Sequence, residues 1–379
     1  LAIGFASCSD SFLTRDPYGN VVTQEQYEKF ANQLEGSMRG IYSMMYAVSD
    51  HDAFGKRSID MYTDLMSGDM ALTNYTYGWF YTDELTEGRT GRTGYIWSYY
   101  YGMLHNVNAV IRAAKLTGTT ETNVINRIAT FGLPNAIKEV DDEYVYYTVI
   151  DNDTVATYTS VDAEVANCYA QALTMRGYIY SNLLMLYCNE SNDIADFSTE
   201  LSFPLYNENN MDNAQGLATM TDVYAQLEND LTNAIDYFNA FEKIERTSKL
   251  EVDKSIAAGI LAYSYLNKGR SKGNSAGDAY VQAYTNAFNY AKMAISSSSC
   301  QILPQNDLYE TGFNSVDGVS WMWGQDVTTE TAGGLASFFG QVDIHSYSYA
   351  WSGDTKAIDE NLYKEIPDFD GRQLWFNDG

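Results

Sequence analysis

The sequence predicts a mostly α-helical protein, built from stacked pairs of amphipathic helices and followed by an irregular second lobe that contains small β-hairpins. Three observations carry that prediction. Asp253 to Ser296 holds two helix patterns laid head to tail. Asp162 to Tyr187 is the longest helical pattern in the chain, and Thr221 to Phe241 supplies a partner for it. After Cys300 the periodicity is lost, and Gly, Ser, Asp and aromatic residues alternate.

In the first of the paired runs, Ile256, Ala257, Ile260, Leu261, Ser264 and Tyr265 recur at the 3.6-residue period of one buried face. Asp253 is placed to cap its start and Gly269 to close it. The second run sets Tyr280, Tyr284, Ala287, Phe288, Ala291 and Ile295 on one stripe. Small residues at Ala257, Ala258, Ala283, Ala287 and Ala291 let two antiparallel helices approach closely, in the manner of a tetratricopeptide pair. Such a pair cannot bury its face alone, so neighbouring pairs are expected elsewhere in the chain.

Taken in order, Leu1 to Ser7 is apolar and small, and Cys8 is followed by polar residues. Residues 1–8 therefore read as a signal-peptide remnant ending in a lipobox, with Cys8 as the lipid-attachment site. Acylation there would attach the chain to a membrane by about 0.8 kcal/mol per buried CH₂. Thr23 and Gln26 form a capping box, and Tyr27, Phe30, Leu34, Met38, Ile41 and Met45 then give a five-turn stripe. Asp50 to Arg92 breaks the periodicity; a helical piece is expected around Ile59 to Leu65 inside a long aromatic-rich loop. A helix follows from Tyr95 to Lys115, with Trp97, Tyr101, Leu104, Asn108 and Ile111 on one side. Gly118 to Asp142 reads as helical fragments around Pro134. Tyr144 to Ile150 and Thr154 to Thr159 read as a β-hairpin across Asp151-Asn152-Asp153. Cys188 to Met220 is an Asn-rich excursion, and Val319 to Trp323 is a candidate strand.

Composition narrows the function. The 379 residues are 45% hydrophobic and 14% aromatic, which describes a folded chain. A formal charge of −27 argues against nucleic acid as a partner, because phosphates would be repelled. No run of about 18 apolar residues is present to cross a membrane. The four cysteines, Cys8, Cys168, Cys188 and Cys300, show neither a CxxC nor a metal-ligand spacing. No Walker loop or dinucleotide fingerprint is present, so no cofactor is expected. His51, His105 and His345 stand apart and read as surface or satisfied core residues. Gly273-Asn274-Ser275-Ala276-Gly277 matches a nucleophile-elbow spacing, but the preceding element is a helix where that motif needs a strand.

Several pieces, in this order and spacing, resemble one family. Cys8 precedes Phe12-Leu13 and Asp16-Pro17; Trp97-Ser98-Tyr99-Tyr100 is followed by Asn106-Val107-Asn108. Ala163-Glu164 leads through Arg176, Gly177, Tyr178 and Tyr180 to Leu186-Tyr187. Tyr224 to Leu231, Ala257 to Leu266 and Ala291 to Ile295 complete the set. Together they resemble the SusD/RagB family of outer-membrane lipoproteins of the Bacteroidetes. Gly177 and Asn182 depart from the family's bulkier residues, and the family's C-terminal region is expected to be cut short here. The resemblance implies a helical-repeat domain over 9–300 and the start of the irregular lobe over 301–379. It also implies a non-catalytic, lipid-anchored protein at the cell surface, which captures a glycan and delivers it to a SusC-like TonB-dependent transporter. The alternative is a helical-repeat scaffold or adhesin for protein or peptide partners.

Sugar binding needs flat apolar faces for ring C–H surfaces and forked polar groups for hydroxyls. Trp79, Tyr81 and Tyr95 with Arg89 and Arg92 offer both, in the segment where the resemblance expects part of the ligand face. Trp321, Trp323 and Trp351 are expected to add a second part, although alternation along a strand would place Trp321 and Trp323 on one face together. Trp97 carries a helix stripe and reads as packing.

Overall fold

The computed structural model describes residues 24–74, 79–80, 91–116, 136–140, 143–150, 153–158, 163–188, 194, 196–240, 246, 248–272, 277–304, 307, 315–328, 330–332 and 334–376, some of them by backbone alone. The described chain is mostly helical, as the hydrophobic periodicity predicts. It divides into two compact units: residues 1–32 with 115–162, and residues 33–114 with 163–379.

The first unit contains a three-stranded antiparallel sheet. Strands β2 (Ala136–Val140), β3 (Glu143–Ile150) and β4 (Asp153–Tyr158) lie in that order. The β3–β4 hairpin agrees with the sequence reading. The helical fragments expected before it are corrected in part: Ala136–Val140 is a strand, paired residue by residue with Glu143 to Tyr147.

The second unit carries the helix stack. Helix α1 (Gln24–Ser43) enters it from Gln33 onward, where Leu34, Met38, Ile41 and Tyr42 are buried as the stripe requires. The chain then doubles back through a turn at Gly55, which has φ of 81°. A Cβ there would stand 2.1 Å from the Met45 carbonyl oxygen, so only glycine fits. Helix α2 (Lys56–Ser67) is longer than expected, and its buried face holds Ile59, Met61, Tyr62 and Leu65. Strand β1 (Met70–Leu72) follows and pairs antiparallel with β7 (Lys356–Ile358). Helix α3 (Gly91–Leu116) begins four residues before the expected Tyr95 and is buried on most sides: Tyr100, Met103, Leu104, Val107 and Ile111 are all enclosed.

Helices α4 (Ala163–Tyr187) and α5 (Met220–Ala240) form the central pair. Gly177 explains itself here, because a Cβ would lie 2.5 Å from Leu231 Cγ on the facing helix. Arg176, beside it, is buried and grips Asp230 of α5 through two bonds of 2.7 Å. It also reaches Glu208 at 2.5 Å and the Asn108 side chain of α3 at 3.0 Å. The Asn-rich excursion between α4 and α5 contains a short hairpin, β5 (Leu201–Pro204) with β6 (Leu217–Thr219).

Helices α6 (Lys254–Lys272) and α7 (Asp278–Ser297) form the pair read first from sequence. The Asp253 carboxylate caps α6, accepting from the Ile256 amide at 3.1 Å. Two expectations are corrected. Gly269 does not end the helix: α6 runs on to Lys272, and a Cβ at Gly269 would sit 2.8 Å from the Tyr284 ring, so this glycine serves close helix packing. The α7 stripe is also rotated. Ala283, Ala287 and Ala294 face inward, whereas Phe288 (63% exposed) and Ile295 (73%) point to solvent. Small residues win the inner face because α6 approaches too closely for larger ones.

Beyond Cys300 the chain is irregular, as expected, with short helices α8 (Phe338–Val342) and α9 (Glu360–Glu365). The strand expected at Val319 to Trp323 is a run of turns: the Trp321 amide bonds to the Gly318 carbonyl, which alternation cannot accommodate. Among the described residues no helix is long and apolar enough to cross a membrane. Cys168 is buried, Cys188 and Cys300 are half-buried, and no disulfide joins them among the described residues.

Candidate functional site

The site is built on the loop between α1 and α2 and the segment after α8. Ser49 to Ala53 closes on itself through main-chain bonds, and two groups of α3 clamp it. Arg92 pairs with the buried Asp52 carboxylate. Burial pushes that carboxyl above its usual range, and the Arg92 charge opposes the shift. The Tyr95 hydroxyl accepts from the Gly55 amide at 3.0 Å and donates to the Gly55 carbonyl at 3.2 Å. Burial likewise raises its pKa, so Tyr95 stays a neutral clamp.

On this clamped loop stands His51. Its ring stacks on Trp79 with centroids 4.9 Å apart and planes 16° from parallel. Its Nδ1 shares a 2.6 Å hydrogen bond with the Tyr349 hydroxyl. Trp79 also meets Tyr349 directly, edge to face, at 6.1 Å. Trp79 Nε1 is buried and has no hydrogen-bond partner among the described residues.

Tyr349 belongs to a knot of turns. Its amide bonds to Gly340 of α8 at 2.9 Å, and its carbonyl accepts from the Asp354 amide at 2.9 Å. The Ser348 hydroxyl accepts from the Trp351 amide at 2.9 Å and donates to the Asp343 carbonyl at 2.5 Å. Below the knot, the buried Lys356 ammonium binds Gln341 at 2.7 Å and Asp354 at 3.0 Å. Gln341 in turn reaches the His51 carbonyl at 3.4 Å. The knot turns Tyr349 inward and leaves its neighbours outward. Tyr347 is 76% exposed and Trp351 56% exposed, with ring centroids 5.6 Å apart and planes at 57°. Two large rings held in the open by a satisfied hydrogen-bond knot form a rigid apolar platform, since the backbone carrying them has little left to rearrange.

The sequence-predicted residues divide accordingly. Trp351 is on the platform, and Trp79 lies beneath it through Tyr349. Arg92 and Tyr95 hold the supporting loop through Asp52 and Gly55. Trp323 sits elsewhere: it packs on Tyr178 at 5.6 Å and on Tyr42 at 6.5 Å, and its indole donates to the Leu250 carbonyl at 3.2 Å. Trp321 lies against Gly318 and Gly324, and its carbonyl is bonded by Cys300. Trp97 is the packing residue expected, lodged between Tyr101 and Tyr187. Cys8, Tyr81 and Arg89, with the lipobox and residues 273–276 of the elbow-like motif, lie outside the described residues. No group of three or more His, Cys, Asp or Glu among the described residues is arranged to hold a metal ion.

A family model described as SusD-like, "Starch-binding associating with outer membrane", matches residues 144–266, which span β3, β4, α4, α5 and most of α6. Those residues resemble the SusD-like family. Solved structures share the SusD-like fold. A SusD-like carbohydrate binding protein from Bacteroides vulgatus is 19% identical, with TM-score 0.62, over 91% of this chain and 60% of that one. Surface glycan-binding protein A from Bacteroides uniformis is 16% identical, with TM-score 0.52, over 90% of this chain and 62% of that one. A crystal structure with xylogluco-oligosaccharide is 17% identical, with TM-score 0.50, over 88% of this chain and 55% of that one. The chain thus spans about 60% of the length of the solved structures it resembles. A comparison with curated proteins finds no match. The Tyr347–Trp351 platform and the His51 loop fall outside the matched residues 144–266.

Proposed function

We propose that this chain is a SusD-like, non-catalytic glycan-binding lipoprotein of the cell surface. Acylation of Cys8 anchors it in the outer membrane, the Tyr347–Trp351 platform captures an oligo- or polysaccharide, and a SusC-like TonB-dependent transporter receives it. The exposed ring pair on its braced loop carries this reading, because open aromatic faces on a fixed backbone are what pyranose C–H surfaces stack against. The SusD-like fold and the oligosaccharide in one structural relative support it. Trp79, Trp321 and Trp323 are retained as contributors to be tested beside Trp351, and Tyr81, Arg89, Arg92 and Tyr95 with them.

Isothermal titration against a panel of soluble glycans tests the reading. Binding by the intact chain, weakened at least about tenfold in Trp351→Ala with an unchanged circular dichroism spectrum, is the expected result. A panel on which nothing binds refutes it, and accumulation of reducing ends refutes the absence of catalysis. One observation favours a protein-binding role alongside: Val281, Phe288 and Ile295 make an exposed stripe at seven-residue spacing on α7. Cross-linking of a Phe288→Glu variant in cells checks whether a partner uses it.

A further inference from the structure

Lysine is costly to bury, since its ammonium loses water that a single carboxylate replaces only in part. Among the described ion pairs, those of Lys56, Lys268 and Lys364 keep both partners partly in solvent. Lys356 does not: its side chain is 1% exposed and that of Asp354 5%. A third group completes this enclosed cluster. The Gln341 carboxamide is buried, and its Oε1 accepts from Lys356 Nζ at 2.7 Å. Nζ also donates to the Asp354 carboxylate at 3.0 Å and to the Asp354 carbonyl at 3.1 Å. The Phe80 ring lies on another side, with Nζ 5.7 Å from its centre.

Gln341 is held in one orientation. Lysine can only donate, so Oε1 faces it, and Nε2 turns to the His51 carbonyl at 3.4 Å. The carboxamide carbon Cδ is one bond beyond Oε1. An amine, a carbonyl carbon and a carboxylate able to take the amine's proton are the parts of an acyl transfer. Burial lowers the Lys356 pKa toward the neutral, nucleophilic amine, and Asp354 opposes the shift. Holding the three groups together supplies the proximity that they lack when free in water.

We propose that Lys356 and Gln341 become joined by an amide bond, formed by the folded chain itself with Asp354 as the proton carrier. Asp354 takes a proton from Nζ, and the freed electron pair attacks Cδ. The Nζ–Cδ bond forms while negative charge gathers on Oε1. Collapse of that adduct breaks the Cδ–Nε2 bond, and Nε2 leaves as ammonia. Of the three ammonium protons, one stays on the new amide nitrogen, one departs with the ammonia and one remains on Asp354. Nothing is oxidised or reduced, and no co-reactant is needed. The product holds an amide and a neutral carboxyl where two buried charges stood, which removes the desolvation cost of the pair. The joined residues are fifteen positions apart, so the bond closes the loop carrying Tyr347, Tyr349 and Trp351 into a ring.

The test is mass spectrometry of the full chain after denaturation. The expected mass is that of the sequence less one ammonia. Chymotrypsin cuts after the rings between the two residues, so its digest should contain one branched peptide holding both Gln341 and Lys356. The deficit should vanish in Asp354→Asn, which keeps both joined residues, provided its circular dichroism matches the parent's. If that variant does not fold, the parent chain decides alone, because its branched peptide is either present or absent. A parent chain of full sequence mass overturns the proposal. So does a deficit of one ammonia without the branched peptide, or a deficit of one water with Lys356 joined to Asp354. A deficit that persists in folded Asp354→Asn overturns the role given to Asp354.

Discussion

A single missing Cβ sets how closely the two central helices approach. Gly177 stands where the sequence resemblance expects more bulk, and the Leu231 side chain of α5 occupies the space a Cβ would need. Gly177→Ala is therefore expected to destabilise the chain by about 1–3 kcal/mol through overpacking, in spite of alanine's better helix propensity. Urea denaturation measures this, and Leu231→Ala in the same chain should recover part of the loss. Single residues also mark how far the site is legible in the sequence. Trp351 and Trp79 can be found there because tryptophans in a polar, irregular stretch invite notice. Tyr347 and Tyr349 escape the sequence reading, although the alternation Tyr347-Ser348-Tyr349-Ala350-Trp351 is there to see. Periodicity gives faces only within a regular element, and in a knot of turns the hydrogen bonds decide which ring points out. His51 reads as a satisfied histidine, and so it is, but its partners Tyr349 and Trp79 lie far away in sequence. Replacing His51 by Phe keeps the stack on Trp79 and removes the bond to Tyr349. If His51 positions the platform through Tyr349, affinity should fall several-fold with little change in melting temperature, and His51→Gln should recover more of it than His51→Ala.

At the scale of elements, apolar spacing places the helices well and their faces less well. α4, α5 and the capped start of α6 follow from that spacing and one carboxylate. The end of α6 does not, because glycine has two uses in helices, termination and close packing, and only the neighbour at Tyr284 tells them apart. Strand β2 is hidden for a related reason: five residues carry too short a pattern to outweigh their flanks. Arg176 joins elements that packing alone would leave independent. Its guanidinium bonds α5 through Asp230, α3 through Asn108 and the Asn-rich excursion through Glu208. Truncation to Met would strand two buried carboxylates, for an expected loss of about 3–5 kcal/mol. Since both acids must then be neutralised to stay buried, the variant should recover stability as pH is lowered from about 7 toward 5, which thermal melts across that range would show.

For the whole molecule, the abundance of tyrosine has a measurable consequence. Burial pushes Tyr187 up to about 12, and Tyr42, Tyr178 and Tyr180, all more deeply enclosed, still higher. Their folded-state values exceed the unfolded value near 10, so the stabilisation is complete below about pH 10 and is lost as pH rises toward 12 and beyond. Absorbance at the phenolate band should rise in two stages, the exposed rings first and the enclosed ones together with loss of helical circular dichroism. A single smooth titration would contradict that burial. The fold class is legible in the sequence because amphipathic periods are local. The platform is not, because it depends on contacts between residues that meet only once the chain has closed.

The pairing of Met70–Leu72 with Lys356–Ile358 makes that closure concrete, since the bond from Thr73 to Thr355 joins residues 282 positions apart. Bringing such distant ends together costs about 5 kcal/mol of chain entropy by logarithmic loop scaling, more than a three-residue ribbon can return by itself. The ribbon must therefore zip up late, after the intervening rods have drawn its halves into range, and come undone early on warming. Amide hydrogens of β1 and β7 should exchange faster than those of α4, and the aromatic shelf resting on that seam would be the last part of this unit to set and the first to loosen.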